Sequence, residues 1–235
     1  MWGHGLTSSM AKEDRTGLMA WSVPEGWDLV RYDAAGHGTS EVADPDPARY
    51  GWERLADDML DLAPGRFVAG GASMGCATAL HAAVRAPERV DALVLVVPPT
   101  AWETRAAQRD LYEGAAHVAE KYGLDRLREI IAARPVAAIF EGRPDLTEYA
   151  PEIDEALLPT VLRGAAASDL PPTEALGGLA QPALVLAWDT DPVHPVSTAE
   201  RLHGVLRAST LHVASTLDDV GRWPVLVRDF LAALA

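Results

Sequence analysis

The segment Gly71-Ala72-Ser73-Met74-Gly75 constrains the fold of this chain more than any other. It follows the apolar run Phe67-Val68-Ala69 and precedes an alanine-rich stretch with helical spacing, Cys76 to Ala86. G-x-S-x-G between a strand and a helix requires a very sharp turn, so that the central residue takes a strained backbone conformation and its side chain stands clear of the sheet. Helix and strand nearly touch there, so the flanking residues must be small. Gly71, Ala72 and Gly75 meet that demand. The same five letters also occur as a plain small-residue turn; the strand before and the helix after favour Ser73 as a presented hydroxyl.

The rest of the chain alternates strand-like and helix-like runs. Trp27 to Tyr32 reads as a strand leading into the loop Asp33 to Ser40. Tyr50 to Leu62 places Trp52, Leu55, Met59 and Leu62 at helical spacing and stops at Pro64-Gly65. Val90 to Val97, Pro182 to Trp188 and Ser209 to Ala214 read as strands, and Pro224 to Leu234 as a closing amphipathic helix. Continuous apolar strands separated by helices imply a parallel sheet covered on both faces, an α/β fold. Between Thr100 and Pro182 the pattern changes: Arg105 to Tyr122, Asp125 to Ala133 and Ile153 to Ala166 read as helices with no clear strand between them. That region reads as a helical insertion lying over the edge where the Ser73 turn opens.

Composition narrows the function. At 235 residues and 49% hydrophobic content the chain suits one domain with a substantial core. A net charge of −14 argues against nucleic acid or an anionic membrane as partner. No run approaches the roughly 20 apolar residues of a membrane helix, and Met1 to Met10 lacks the apolar block of a secretory signal, so a cytoplasmic location is expected. The single cysteine, Cys76, excludes an internal disulfide framework and reads as a small buried filler. The histidines and carboxylates lack metal-ligand spacing, and Gly36-His37-Gly38 lacks the lysine and helix of a phosphate loop. No metal and no cofactor are expected.

Three further motifs join the Ser73 turn. Asp33-Ala34-Ala35-Gly36-His37-Gly38-Thr39-Ser40 is similar to the D-x-x-G-x-G-x-S loop of the α/β-hydrolase superfamily, in which the serine turn is the nucleophile elbow. His4-Gly5-Leu6 resembles that family's oxyanion loop, and Trp188 to Pro195 its loop after the penultimate strand, which carries the catalytic acid. The resemblance spans nearly the whole chain. It implies an α/β-hydrolase fold, with a core of residues 1–99 and 182–235 and a helical cap of residues 100–181. It implies Ser73 as nucleophile, Asp191 (less so Asp189) as acid, and the N–H groups of Leu6 and Met74 as oxyanion donors, worth roughly 3 kcal/mol each in acyl transfer.

Two features depart from the family pattern. Only Met1, Trp2 and Gly3 precede His4, where the family has an interior strand; either the chain starts late or the sheet is trimmed. The second departure concerns the base. The family's histidine follows the last strand, but here that loop reads Ser215-Thr216-Leu217-Asp218-Asp219-Val220-Gly221-Arg222-Trp223. Lining up strand and loop puts Asp219, or Asp218 by one residue's slip, at the base position. There Asp219 would share a proton with Asp191 as an acid/base pair. A plainer reading makes one of the two aspartates a helix cap.

Seven histidines offer alternatives. His4 and His37 suit local hydrogen bonding within their loops, His81 packing or capping, and His203 a solvent-facing helix. His117 lies on the insertion. His212 lies inside the last strand, below the site, and His194 follows Asp191 by three residues, near the right sheet edge. The base is thus Asp219, His194, His212 or absent. The leading functional reading is a serine hydrolase of a small ester, lactone or related carbonyl compound, under a roof of Trp102, Leu111, Tyr112, Ile139 and Phe140. A lyase or isomerase in the same pocket and an inactive binding relative are the alternatives.

Overall fold

The computed structural model describes residues 1–18 and 21–234. In chain order the strands are β1 (Trp2–Gly3), β2 (Arg31–Tyr32), β3 (Phe67–Ala72), β4 (Val90–Val96), β5 (Ala183–Trp188) and β6 (Ser209–Ala214). The helices are α1 (Met10–Thr16), α2 (Trp52–Leu62), α3 (Met74–Arg85), α4 (Arg105–Ala132), α5 (Pro144–Thr147), α6 (Leu158–Ala166), α7 (Thr173–Leu176), α8 (Val196–Val205), α9 (Leu217–Val220) and α10 (Trp223–Ala232). The six strands form one parallel sheet in the order β2-β1-β3-β4-β5-β6.

Both faces of the central strands β3, β4 and β5 are buried, as their near-continuous apolar character requires. Leu93, Leu95, Val185 and Ala187 pack with Trp52, Met59 and Leu80 on one side. The alternate residues Val94, Val96, Leu184 and Leu186 pack with Trp2, Trp188, Trp223 and Leu231 on the other.

The interior strand before His4 exists as a two-residue stub. Trp2 N–H donates to Val30 O at 2.8 Å and Gly70 N–H to Met1 O at 3.0 Å, so β1 pairs with both neighbours. Trp27 to Tyr32 reads as a strand, but only Arg31 and Tyr32 pair in the ladder, with Trp2 and Gly3 of β1.

Between β4 and β5 the described chain carries helices and turns and no strand. The break expected between Tyr122 and Asp125 is present as a kink at Gly123, with φ 81° and ψ 171°. Glu155 Oε1 accepts the freed N–H of Leu124 there. The helix expected from Ile153 begins only at Leu158, with Pro159 in its first turn where a missing N–H costs nothing.

This helical region reaches the carboxyl ends of the strands, where ligands bind in open α/β sheets. Glu152 N–H donates to Thr7 O at 3.0 Å, and Glu152 O accepts from Gly38 N–H at 2.7 Å. Ile139 N–H donates to Thr190 Oγ1 at 3.2 Å. The loops after β1, β2 and β5 are therefore all tied to the same insertion. No described helix is long and apolar enough to cross a membrane.

Candidate active site

Ser73 joins β3 to α3 with φ 52° and ψ −107°, outside the regions open to a relaxed L-residue. Such a conformation costs on the order of 1–3 kcal/mol and persists only where its surroundings enforce it. Ser73 N–H donates to Val96 O at 3.0 Å, and Ser73 O accepts the first helical bond from Ala77. The demand for small neighbours is visible in the packing. A Cβ on Gly75 would lie 2.0 Å from Gly3 O, and one on Gly71 would lie 2.3 Å from the Gly75 carbonyl carbon.

Ser73 Oγ lies 2.9 Å from His194 Nε2. His194 Nδ1 lies 2.7 Å from Asp191 Oδ2. Asp191 also accepts from Val193 N–H through Oδ1 at 2.9 Å and from the Trp188 indole N–H through Oδ2 at 3.1 Å. Burial by itself would raise the Asp191 carboxyl. The hydrogen bond and charge of His194, the Val193 amide and the Trp188 indole outweigh it and hold the group at about 2. An ionised carboxylate only accepts, so the proton between the two residues belongs to His194 Nδ1. His194 Nε2 is then a free lone pair, and the Ser73 hydroxyl donates to it. The chain Ser73–His194–Asp191 is continuous, hydroxyl to imidazole to carboxylate, each within hydrogen-bond reach of the next.

The base position expected at Asp219 is occupied differently. Asp219 lies in the first turn of α9. Its N–H donates to Thr216 Oγ1 at 3.1 Å, and its Oδ2 accepts from that hydroxyl at 2.7 Å. The Thr216 hydroxyl, followed by backbone donors and Arg222, holds the Asp219 carboxyl below the usual carboxylate range. Thr216 is the N-cap of α9, and Asp219, three residues on, answers it, so the carboxylate is held on its own helix and not on a neighbouring loop. Asp191 therefore accepts the His194 proton in a hydrogen bond and shares none with Asp219. His212 sits in β6 opposite Leu186, His117 is exposed on α4, and His203 pairs with Ser209. His81 packs with its Nε2 on Asp169 O at 2.9 Å. Asp189 accepts from the Ser215 hydroxyl at 2.6 Å.

The loop after β1 lies against the elbow. A Cβ on Gly5 would stand 3.7 Å from both Ser73 Cβ and Ala72 O. Gly5 O accepts from Ser8 N–H at 3.1 Å and lies 2.8 Å from His4 Nδ1. His4 Nε2 accepts from Ala34 N–H at 3.0 Å, so Nδ1 carries the ring proton and donates to Gly5 O. Gly5 C=O and Leu6 N–H belong to one planar peptide and point in opposite directions. Two donors on the carbonyl therefore fix the direction of the amide. Neither Leu6 N–H nor Met74 N–H finds an acceptor among the described residues. Asp33 closes the neighbouring loop by accepting from Met10 N–H, Thr39 N–H and the Thr39 hydroxyl.

Of the apolar residues expected above the site, Ile139 is buried and Phe140 packs edge-on against Trp188, with ring centroids 4.9 Å apart. Tyr112 is partly buried against the core, and the Trp102 indole donates to Pro171 O. Leu111 points to solvent at 42% exposure and forms no part of a roof. Trp188 itself carries no signal in the sequence beyond its place at a strand end. His194 carries one, an acidic residue three positions earlier in the same loop. Among the described residues no group of three or more His, Cys, Asp or Glu side chains could hold a metal ion.

The sequence profile of the alpha/beta hydrolase family matches residues 2–234, and the chain belongs to that family. Solved structures with the same fold include a thermophilic esterase from Thermogutta terrifontis, 21% identical, TM-score 0.73, covering 99% of this chain and 89% of that one. An enol-lactonase from Burkholderia xenovorans LB400 is 19% identical, with TM-score 0.76 and coverage of 98% and 91%. A hydrolase from Pseudomonas aeruginosa PA01 is 22% identical, with TM-score 0.73 and coverage of 98% and 88%. A search of curated proteins finds no match to this chain.

Proposed function

We propose that the protein is a serine hydrolase of a small ester, lactone or related carbonyl compound, working through Ser73, His194 and Asp191. The observation that carries this is the unbroken hydrogen-bond chain, 2.9 Å from Ser73 Oγ to His194 Nε2 and 2.7 Å from His194 Nδ1 to Asp191. His194 takes the hydroxyl proton as Ser73 attacks the carbonyl carbon. Asp191 stays ionised and stabilises the imidazolium so formed. The N–H groups of Leu6 and Met74, without acceptors among the described residues, receive the charge that develops on the carbonyl oxygen. His194 then returns the proton to the leaving oxygen. A water molecule, activated by the same imidazole, frees the acyl group from Ser73.

Residues 100–181 act as a cap in this reading, with Ile139 and Phe140 at the Trp188 side of the roof. An esterase and an enol-lactonase among the structural neighbours agree with the substrate class. The non-hydrolytic reading rested on the lack of a histidine base, and a histidine on Ser73 removes its motive. The test is labelling with a fluorophosphonate probe, with the site located by mass spectrometry. Covalent modification of Ser73 in the native protein, lost in His194→Ala, is the expected result. A folded protein whose Ser73 takes no label rejects the proposal in favour of a binding role.

A further inference from the structure

We propose that Trp188 is a positioning residue for this relay, holding Asp191 in place through its indole N–H. The inference rests on the reading of Ser73, His194 and Asp191 given above. Trp188 is the last residue of β5 and is 5% exposed. Its N–H donates to Asp191 Oδ2, the same oxygen that receives the His194 proton. Val193 N–H holds the other oxygen. With both oxygens tied, the carboxylate plane cannot turn, and the ring of His194 is set by it.

The indole is itself immobilised. It stacks on Trp223 with centroids 5.7 Å apart and planes 14° from parallel. Phe140 meets it edge-on at 87°, and His194 meets it edge-on at 86° with centroids 6.0 Å apart. Trp223 is 1% exposed and opens α10. The donor to Asp191 is therefore fixed by the sheet on one side and by the last helix on the other.

The placement of the base makes this anchor necessary. Acid and base share one loop, three residues apart, and the loop contains the exposed Pro192 and a left-handed Thr190 with φ 65°. A shift of the loop would carry both groups away from Ser73 together. Ile139 N–H on Thr190 and the Ser215 hydroxyl on Asp189 hold the start of the loop. The segment from Asp191 to His194 is held against such a shift by the Trp188 indole from β5 and by Thr100 N–H, which donates to Val193 O at 3.1 Å.

Trp188→Phe keeps a ring in the stack and removes only the N–H. The readout is the second-order rate of fluorophosphonate labelling of Ser73 across pH, beside the thermal midpoint. We expect a stable W188F variant whose labelling at neutral pH is slower by roughly ten-fold or more, the size of one lost hydrogen bond to a charged group. Its acid limb should move to higher pH, because a carboxylate that has lost a donor holds the imidazolium more tightly. Trp223→Phe loosens the stack but spares the N–H, so its pH profile should stay in place. If W188F does not fold, Trp188→β-(3-benzothienyl)alanine keeps the bicyclic shape without the N–H and serves the same comparison. A W188F rate and pH profile equal to those of the native protein overturn the proposal and leave Trp188 as packing. If native Ser73 takes no label, the reaction itself is rejected. The exchange rate of the His194 Nδ1 proton then decides the anchor: faster exchange in W188F supports it and unchanged exchange overturns it.

Discussion

His194 donates to Asp191 from three residues further along the same loop, across 2.7 Å, and turns its other nitrogen to Ser73, 121 positions away in the chain. In the proposed relay, acid and base thus arrive on one short segment after β5. The loop after β6, aligned with the family's histidine, is left with a helix cap.

Replacing His194 with Ala should lower turnover of any accepted ester by roughly 10⁶-fold, as loss of the histidine base does in serine hydrolases. Asp219→Asn should leave turnover intact and cost only a small part of the thermal midpoint, since the Asp219 carboxylate only supports Thr216, the N-cap of α9. Steady-state kinetics on both variants with one ester screen checks the pair. A reversed result, with D219N dead and H194A active, would return the base to Asp219.

Asp191→Asn keeps the shape but supplies a donor where His194 now donates. The imidazole must then present its proton toward Ser73 and cannot accept from it. A fall of about 10⁴-fold in kcat is expected, with little change in KM. Asp191 also contributes to stability. Its carboxyl is held at about 2 against an ordinary 3.8, so the contribution is present above pH 4 and is lost as pH falls toward 2. Chemical denaturation of native and D191N protein at pH 6 and pH 3 should show the two curves converging at the lower pH.

Gly75→Ala places a methyl group 2.0 Å from Gly3 O, on backbone that cannot move without unpairing β1. Overpacking of this kind costs typically 1–3 kcal/mol where side chains yield, and more here because the obstacle is a main-chain carbonyl. The variant should lose soluble expression or show a sharply lowered melting temperature in calorimetry. A G75A protein with native stability would contradict the packing at the elbow.

Two buried groups give stability opposite slopes with pH. Burial, then the charge of His4, holds the His37 imidazole down at about 3, against 6.5 when free. The unfolded chain binds that proton first, so stability falls as pH drops from 6.5 toward 3. Burial raises the Glu13 carboxyl from 4.5 to about 7 despite donors from Trp2 and Arg31. The folded chain holds that proton longer, so stability falls as pH climbs from 4.5 to 7. His37→Asn should therefore tilt the stability curve between pH 4.5 and 6.5 downward with rising pH, and Glu13→Gln should tilt it upward. Urea midpoints at three pH values in that window measure both slopes.

Local sterics made much of the molecule legible in the sequence. Gly71, Ser73 and Gly75 announce a turn that only small neighbours permit, and the turn has that conformation. Val90 to Val97 and Pro182 to Trp188 announce strands by near-continuous apolar character, because strands covered on both faces need it. What the sequence left open was which side chain meets the Ser73 hydroxyl. His194, His212 and Asp219 all lie near the right edge of the sheet, and spacing along the chain does not measure the distance between two loops. Tertiary packing decided it. The β5 loop folds back so that His194 spans Asp191 and Ser73, while Thr216 turns Asp219 into its own helix. The Trp188 indole was equally hidden, since a buried aromatic at a strand end reads as core until the carboxylate beside it is seen.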